Sequence, residues 1–166
     1  MIRLLRSLLA DDRASPSAEM ALSLPLMFGL LFGSIELGNY FLSEHKVAKA
    51  VRDGARYAAR RPLTDYASCT PSSTLIDETR NVTRTGQVAA GGTPKVWNWT
   101  DPTSITVSAA CDTSGTYSGI YVVSTVGTPV VTVTATVPYA SVLGQLGLPG
   151  PALNLNATSE AAVTGI

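Results

Sequence analysis

Apolar residues fill one unbroken stretch near the start of the chain. From Met20 to Ser43 the sequence reads MALSLPLMFGLLFGSIELGNYFLS, 24 residues with Glu36 as the single charge. As an α-helix this stretch is about 36 Å long, enough to cross a hydrocarbon layer of about 30 Å with some tilt. The pattern predicts a transmembrane helix over residues 15–43. A buried core helix and a secretory signal cleaved near Ala48-Lys49-Ala50 are the alternatives.

The helical pattern continues beyond the apolar stretch, but with one apolar side. Small and apolar residues recur at steps of three and four, and charged residues follow the same steps on another side. This predicts a membrane-proximal amphipathic helix over residues 44–61 that stops before Pro62. The small residues suit close packing against a helix or a sheet, and a basic face lying on anionic lipid is the alternative. The apolar set is Val47, Ala50, Val51, Gly54, Ala55 and Ala58, and the charged set is Lys46, Lys49, Asp53, Arg56 and Arg60.

Residues 62–166 have short alternating patterns interrupted by Gly, Pro, Ser and Thr. Residues 73–89 predict a weak helix with Ser73 as its cap. Alternation of apolar and hydroxyl side chains predicts several strands. These strands cover residues 105–109, 120–123, 131–137 and 153–157. The expected fold class is α+β, a long N-terminal helix followed by a small antiparallel sheet with an apolar face toward the helix and a hydroxyl-rich face outward.

Charge and composition narrow the functional classes. The 166 residues carry 12 basic and 12 acidic side chains, so the chain has no net basic field that would attract nucleic acid. Charged residues make up only 14%, against about 25% in an average soluble domain. Residues 62–166 are rich in Ser and Thr and poor in charge, which is typical of an extracytoplasmic domain.

Two cysteines, Cys69 and Cys111, bear on the compartment. An even count in a strand-rich region predicts a disulfide, which requires an oxidising environment, and two unlinked thiols are the alternative. The basic residues instead indicate a cytoplasmic C-terminal side, because three precede the apolar stretch and six follow it, and basic residues concentrate on the cytoplasmic side of a span. We favour a cytoplasmic N-terminus with the C-terminal domain outside, in conflict with the count of basic residues.

The segment before the apolar stretch has an ordered set of signals. Ser15 suits a helix N-cap and Pro16 suits the first turn, so the helix should begin near residue 15. A short basic leader, residues 1–14, precedes it. Glu19 lies one turn into the helix, and a carboxylate at the edge of an apolar stretch requires a partner.

These residues resemble the TadE-like family of pseudopilins in the tight-adherence (Flp-type) pilus system. The resemblance covers residues 13–61, and two positions depart from the usual pattern. Ala14 stands where Gly is usual, and Met20 stands where an aromatic residue is common. The matching elements are Arg13-Ala14, Glu19-Met20-Ala21-Leu22, Pro25, Ile35-Glu36-Leu37-Gly38 and the Ala- and Arg-rich segment 50–60.

The resemblance implies a pilin-like fold and removal of the leader by a prepilin peptidase. The cut would fall between Ala14 and Ser15, which leaves Glu19 as the fifth residue. The freed amine could pair with Glu19 of its own chain or of a neighbour, and simple helix capping is the alternative. Glu19, Pro25 and Glu36 are the expected assembly residues, and Pro25 should bend the helix or be tolerated in it. Glu36, near the opposite interface, should reach headgroups or water.

The sequence has no pattern for catalysis or metal binding. It lacks a nucleophile elbow, a P-loop and a dinucleotide-binding glycine pattern. His45 is the only histidine and has no second ligand at a suitable spacing, so neither a metal nor a cofactor is expected. Trp97 and Trp99 alternate and are expected on one face of an extended segment, either packed on the sheet or contacting a sugar or a protein.

The sequence therefore predicts a minor pseudopilin, a non-enzymatic assembly component of a tight-adherence pilus in the bacterial inner membrane. Its N-terminus would be cytoplasmic and its domain 62–166 periplasmic. The expected partners are the prepilin peptidase, other pilins or pseudopilins, and inner-membrane lipid. The alternative is a single-pass anchored periplasmic binding module without leader processing.

Overall fold

The chain folds as one long helix followed by a small α+β domain. The computed structural model describes residues 15–115, 119–122, 127–150 and 152–165. The leader, with Ala14, and the side chain of Ser15 lie outside the described residues. The helices are α1 (Ser15–Ala59), α2 (Ser73–Thr85) and α3 (Val142–Gln145), and the strands are β1 (Ile105–Asp112), β2 (Thr128–Pro138) and β3 (Asn154–Ala162).

Helix α1 joins the predicted transmembrane and membrane-proximal helices into one continuous element of 45 residues. It begins at Ser15, as the Ser-Pro signal predicted, and ends three residues before Pro62. The Tyr66 hydroxyl donates to the Ala58 carbonyl at 2.7 Å, and the Thr164 amide donates to the Ala59 carbonyl at 2.8 Å. Carbonyls that a helix end leaves without intrahelical donors are thus satisfied by the folded domain.

Helix α2 is shorter than the predicted 73–89, and its cap is Ser72 rather than Ser73. The Ser72 Oγ accepts from the Leu75 amide at 3.2 Å. The helix ends at Gly86, which has a φ of 82°. Only glycine adopts this left-handed conformation without steric cost, and it stops the helix there.

The three strands form one antiparallel sheet in the order β1-β2-β3. In the central strand, Val133 lies opposite Val107 of β1 and Ser159 of β3. The inward side chains of β2 are buried, and the outward side carries hydroxyl pairs such as Thr134 with Thr158, whose Oγ1 atoms are 3.1 Å apart. The predicted α+β class and the apolar and hydroxyl faces of the sheet are confirmed.

The strand predicted at 120–123 is wrong. Gly119–Tyr121 form a single 3-10 turn, and residue 123 lies outside the described residues. Gly119 has a φ of 65°, which is incompatible with an extended chain. The Tyr121 hydroxyl instead donates to the Val163 carbonyl at 2.7 Å and fixes this turn to the end of the sheet.

The core lies between the C-terminal half of α1, α2 and the inner face of the sheet. All six apolar positions predicted on residues 44–61 are buried, while the four basic positions of the predicted charged set are exposed. Gly54 lies so close to Thr83 of α2 that an added Cβ would overlap the Thr83 hydroxyl. The small residues therefore permit a close helix-helix approach as well as packing under the sheet.

Candidate assembly helix and its junction with the sheet domain

The N-terminal half of α1 projects away from the domain. Every side chain described from residue 16 to residue 35 is exposed, and only 6% of the most apolar 18-residue window is buried. This exposure excludes a buried core helix for the stretch. Among the described residues, one helix is long and apolar enough to cross a membrane. Its large exposed side chains are Met20, Leu22, Leu24, Leu26, Met27, Phe28, Leu30, Leu31, Phe32 and Ile35.

The alternative of a secretory signal cleaved near Ala48-Lys49-Ala50 conflicts with the fold. These residues lie inside continuous α1, and Ala50 is fully buried in the domain core. A cut there would remove Val47, which is also fully buried, from the core. The same helix that projects from the domain is therefore needed to complete it.

Two of the predicted assembly residues lie within the exposed half. Glu19 is exposed in the second turn of α1, at the end of the helix that faces away from the sheet. Pro25 lies within the helix, and helix continues on both sides of it. The structure thus places the two residues on a free surface, while their roles in processing and assembly stay predictions.

Glu36 occupies the boundary between the two halves of α1. It is half-buried, and its Oε2 atom accepts from the Leu143 amide at the start of α3 at 3.1 Å. The Tyr139 hydroxyl donates to the backbone carbonyl of Glu36 at 3.1 Å. The expectation that Glu36 simply reaches headgroups or water therefore needs correction, because the connection between β2 and β3 folds back onto it.

Asn39 and Tyr40, which lie beside Glu36 on the same face of α1, are not among the residues predicted from the sequence. The Asn39 Nδ2 atom donates to the Tyr139 hydroxyl at 2.9 Å and to the Ala140 carbonyl at 3.2 Å. Tyr40 packs edge-to-face against Tyr139, with ring centroids 5.3 Å apart. Positions 36, 39 and 40 continue the buried side of the helix at steps of three and four, so the signal was present in the sequence. The unbroken apolar run around these positions concealed it.

A disulfide joins Cys69 to Cys111, with Cα atoms 5.9 Å apart. It connects the segment that follows α1 to the end of β1 and closes a loop with a sequence separation of 42. A covalent link of this kind restricts the unfolded chain. It also requires an oxidising compartment to form, in agreement with the predicted location of the domain.

A polar cluster lies where α1 meets α2. The Arg61 Nε atom is 3.2 Å from Asp65 Oδ2, and its Nη2 atom is 3.5 Å from Glu78 Oε2. The Tyr57 hydroxyl donates to the same Glu78 oxygen at 2.7 Å. Burial and this hydrogen bond raise the pKa of Tyr57 to about 12. Because an arginine neutralises both acids, the cluster joins two helices and does not resemble a pair of catalytic carboxylates.

The two tryptophans do not share a face, contrary to the sequence prediction. Trp99 is only 1% exposed, and its Nε1 atom donates to Ser104 Oγ at 2.8 Å, whereas Trp97 is 75% exposed. Asn98 between them has a φ of 66°, which turns the chain and separates the two rings. Trp99 is therefore a core residue, and Trp97 borders an open surface groove of about 320 Å³.

Among the described residues, no group of three or more His, Cys, Asp or Glu side chains is arranged to hold a metal ion. His45 is exposed on α1. Its neighbours along the helix, Glu44 and Lys46, are exposed as well.

The family match found by comparison with known proteins lies within α1. No curated protein and no solved structure matches the chain. The sequence profile of a family described as TadE-like protein matches residues 17–56, which begin in the first turn of α1 and end within its buried half. This segment of α1 is therefore similar to the TadE-like family, in agreement with the resemblance found in its Glu, Pro and Ala/Arg-rich helix.

Proposed function

We propose that this chain is a minor pseudopilin, an assembly component of a tight-adherence pilus. The TadE-like segment provides a link to that pilus system. A helix whose apolar half is free while its other half is fixed in a folded domain supports the proposal most directly. Such a helix can lie in a membrane and later pack beside the helices of neighbouring subunits, because both surroundings are apolar.

The proposed location is the bacterial inner membrane, with the sheet domain in the periplasm. The apolar length of α1 supports a single crossing, and the Cys69–Cys111 disulfide supports an oxidising location for the domain. The basic residues on the domain side of the span oppose this orientation under the positive-inside rule. Five of the six basic residues that follow the apolar stretch are exposed on a helix segment packed into the domain, and long domains translocate largely regardless of their charge.

The proposed processing step is a cut by the prepilin peptidase between Ala14 and Ser15. The new α-amine would lie one helical turn from Glu19. An amine and a carboxylate at this spacing attract each other most strongly where water is scarce, either within one chain or between neighbours. The role proposed for this part of the chain is therefore assembly rather than catalysis.

Replacement of Glu19 by alanine in a strain with a countable pilus output tests the proposal. Glu19→Ala should insert in the membrane and lose its leader, yet reduce the number of pili. Glu44→Ala is a matched control, since Glu44 is an exposed acid on the same helix, outside the leader motif. The mature N-terminus of each variant is determined by mass spectrometry, because a failure of cleavage would also reduce the number of pili.

Two results would count against the proposal. An intact Met1 form in cells that contain an active prepilin peptidase would exclude leader processing. Normal piliation by a fully processed Glu19→Ala chain would show that Glu19 acts only as a helix cap.

An anchored binding module is the second candidate function, favoured by the exposed Trp97. An aromatic ring beside Asn98 and threonine side chains has the chemistry of a surface that stacks on a sugar or packs on a protein. Under this alternative the leader is not cut, so Trp97→Ala would abolish binding and leave both the intact leader and the pilus number unchanged. A loss of pili with Trp97→Ala would instead include this surface in the assembly function.

A further inference from the structure

The connection between β2 and β3 carries an apolar surface that the sheet domain does not cover. We name residues 139–150 the apolar loop, and no residue from 138 to 153 is charged. Leu146 and Leu148 within the loop are exposed, and so is Leu153, which directly precedes β3. The outer face of the sheet is rich in hydroxyls by comparison. A concentration of exposed apolar side chains on such a domain marks a contact surface.

We propose that the apolar loop inserts into lipid beside α1, so that the chain contacts the bilayer at two places. The inference rests on the membrane anchoring of α1 proposed above. The loop would lie in the interfacial layer, with its leucines directed toward the acyl chains. The partner is therefore the lipid surface that α1 crosses.

The position of the loop along α1 fixes its depth. The uncharged residues 20–35, which follow Glu19, form a helix of about 24 Å at 1.5 Å per residue, most of the thickness of a hydrocarbon core. The next residue, Glu36, accepts a hydrogen bond from Leu143 in the loop. The loop is thus attached at the level where the hydrocarbon core ends. Its exposed leucines accompany Leu37 and Phe41, which are exposed on α1 beyond Glu36.

The contacts at this level suit an interface between lipid and water. Tyr40 and Tyr139 pack together there, and tyrosine is enriched where hydrocarbon meets headgroups. An open groove of about 370 Å³ lies between α1 and the loop, lined mainly by apolar side chains that include Leu37, Leu143 and Leu153. A groove that opens beside a membrane-spanning helix can receive an acyl chain.

The amides in the central part of the loop meet one requirement of an apolar medium. In lipid, an unpaired amide is strongly unfavourable, because no water is present to accept its hydrogen bond. The six amides from Leu143 to Leu148 all have acceptors: Glu36 for the first, the Ser141 side chain for the second, and backbone carbonyls within the loop for the other four. Pro149, which follows, has no amide hydrogen. The loop can therefore leave water with these donors already satisfied.

Site-directed spin labelling of the full-length chain in phosphatidylethanolamine–phosphatidylglycerol vesicles tests the inference. Single cysteines are placed at Leu148 in the loop, at Phe28 in the span and at Gln87 in an exposed turn, with Leu146→Cys as a second loop variant. The native cysteines are joined and do not react with the label. Collision rates with oxygen, which partitions into lipid, and with a water-soluble nickel chelate report the surroundings of each label.

The expected result is a high oxygen-to-nickel ratio at Leu148, close to the ratio at Phe28 and well above the ratio at Gln87. A ratio at both loop positions equal to that at Gln87, with Phe28 still in lipid, would overturn the inference and leave the anchor intact. Nickel access at Phe28 would overturn the anchor itself. Low access to both reagents at the loop positions, with spin-spin broadening, would show a second copy on the loop and also overturn the inference.

Discussion

The two halves of α1 share one helical backbone but have opposite surroundings. Between residues 20 and 35 apolar side chains lie on every side of the helix and are exposed, whereas from Val47 to Ala59 one side is buried under α2 and the sheet. The difference follows from the distribution of apolar residues around the helix. A helix that is apolar on all sides requires an apolar medium, and one with a single apolar side requires a domain to pack against. Matched substitutions in the two halves should therefore give opposite readouts.

The largest expected effect comes from a charge placed in each half. Val51→Asp puts an unpaired carboxylate in a fully buried position and should lower the free energy of unfolding of the domain by about 4 kcal/mol or more. Leu30→Asp should leave the unfolding of the domain unchanged and reduce membrane insertion, by about 2.5–3.5 kcal/mol on insertion scales. Urea titration in detergent, followed by the fluorescence of buried Trp99, measures the first effect, and membrane fractionation measures the second. Equal effects of both substitutions on unfolding would contradict the division of α1.

The disulfide should affect only the domain. Replacement of both Cys69 and Cys111 by serine should cost about 4 kcal/mol in the chain-entropy model, because the loop closed by the link is long. Membrane insertion should remain unchanged, since the link contacts no part of the exposed half. The same urea titration gives the cost, and reduction of the parent protein with dithiothreitol is the control. Equal stability of the oxidised and reduced parent would exclude a stabilising role for the link.

A pair of glycines tests the packing within one helix. Gly54→Ala should destabilise the domain by about 1–3 kcal/mol, because its Cβ would overlap Thr83 and α2 would have to move. Gly33→Ala is the matched control: an added Cβ there has no atom within 4 Å. Alanine is the better helix former, so this control should be neutral or slightly stabilising. Thermal unfolding of the two variants beside the parent distinguishes them, and a destabilised Gly33→Ala would contradict the comparison.

The smallest effect is a dependence on alkaline pH in the domain half. The folded domain keeps Tyr57 protonated up to a pKa of about 12, above its ordinary value of about 10. Its contribution to stability is therefore complete below pH 10 and is lost as the pH rises toward 12. Tyr57→Phe should reduce the proton release on unfolding in this range by up to one proton. A titration of urea midpoints from pH 9 to 12 measures it, and an unchanged slope would contradict the assignment.

The sequence predicted the regular elements well because their signals are local. The apolar stripe of α1 and the alternation in β2 repeat over several turns or pairs, so each residue supports the same conclusion. The strand at 120–123 failed because Gly119 takes a left-handed conformation, which the apolar residues after it do not reveal. The prediction that Trp97 and Trp99 share a face was wrong for a similar reason, because Asn98 between them also has a positive φ.

The contact between Glu36 and the apolar loop could not have been predicted from spacing. Glu36 and Leu143 are 107 residues apart, and only the fold brings them together. From the sequence alone, a single charge in an apolar stretch is compatible with two roles: a residue at a membrane boundary, or an acceptor for a distant backbone amide. The second role depends on the fold, because the pairing of β2 with β3 determines where the connection between them lies.

The end of α1 has a consequence for the order of events during synthesis. The carbonyl of Ala59 is bound by Thr164, 105 residues later in the chain, and the last strand, β3, packs directly on α1. When the apolar half of α1 leaves the ribosome, nothing that covers its other half has yet been made. With α1 anchored as proposed above, its insertion in the membrane precedes folding of the domain, and its second half stays uncovered until β3 is synthesised. Contacts this distant in the chain form slowly, so a translating chain would expose its apolar stripe to chaperones or to neighbouring subunits for most of its synthesis.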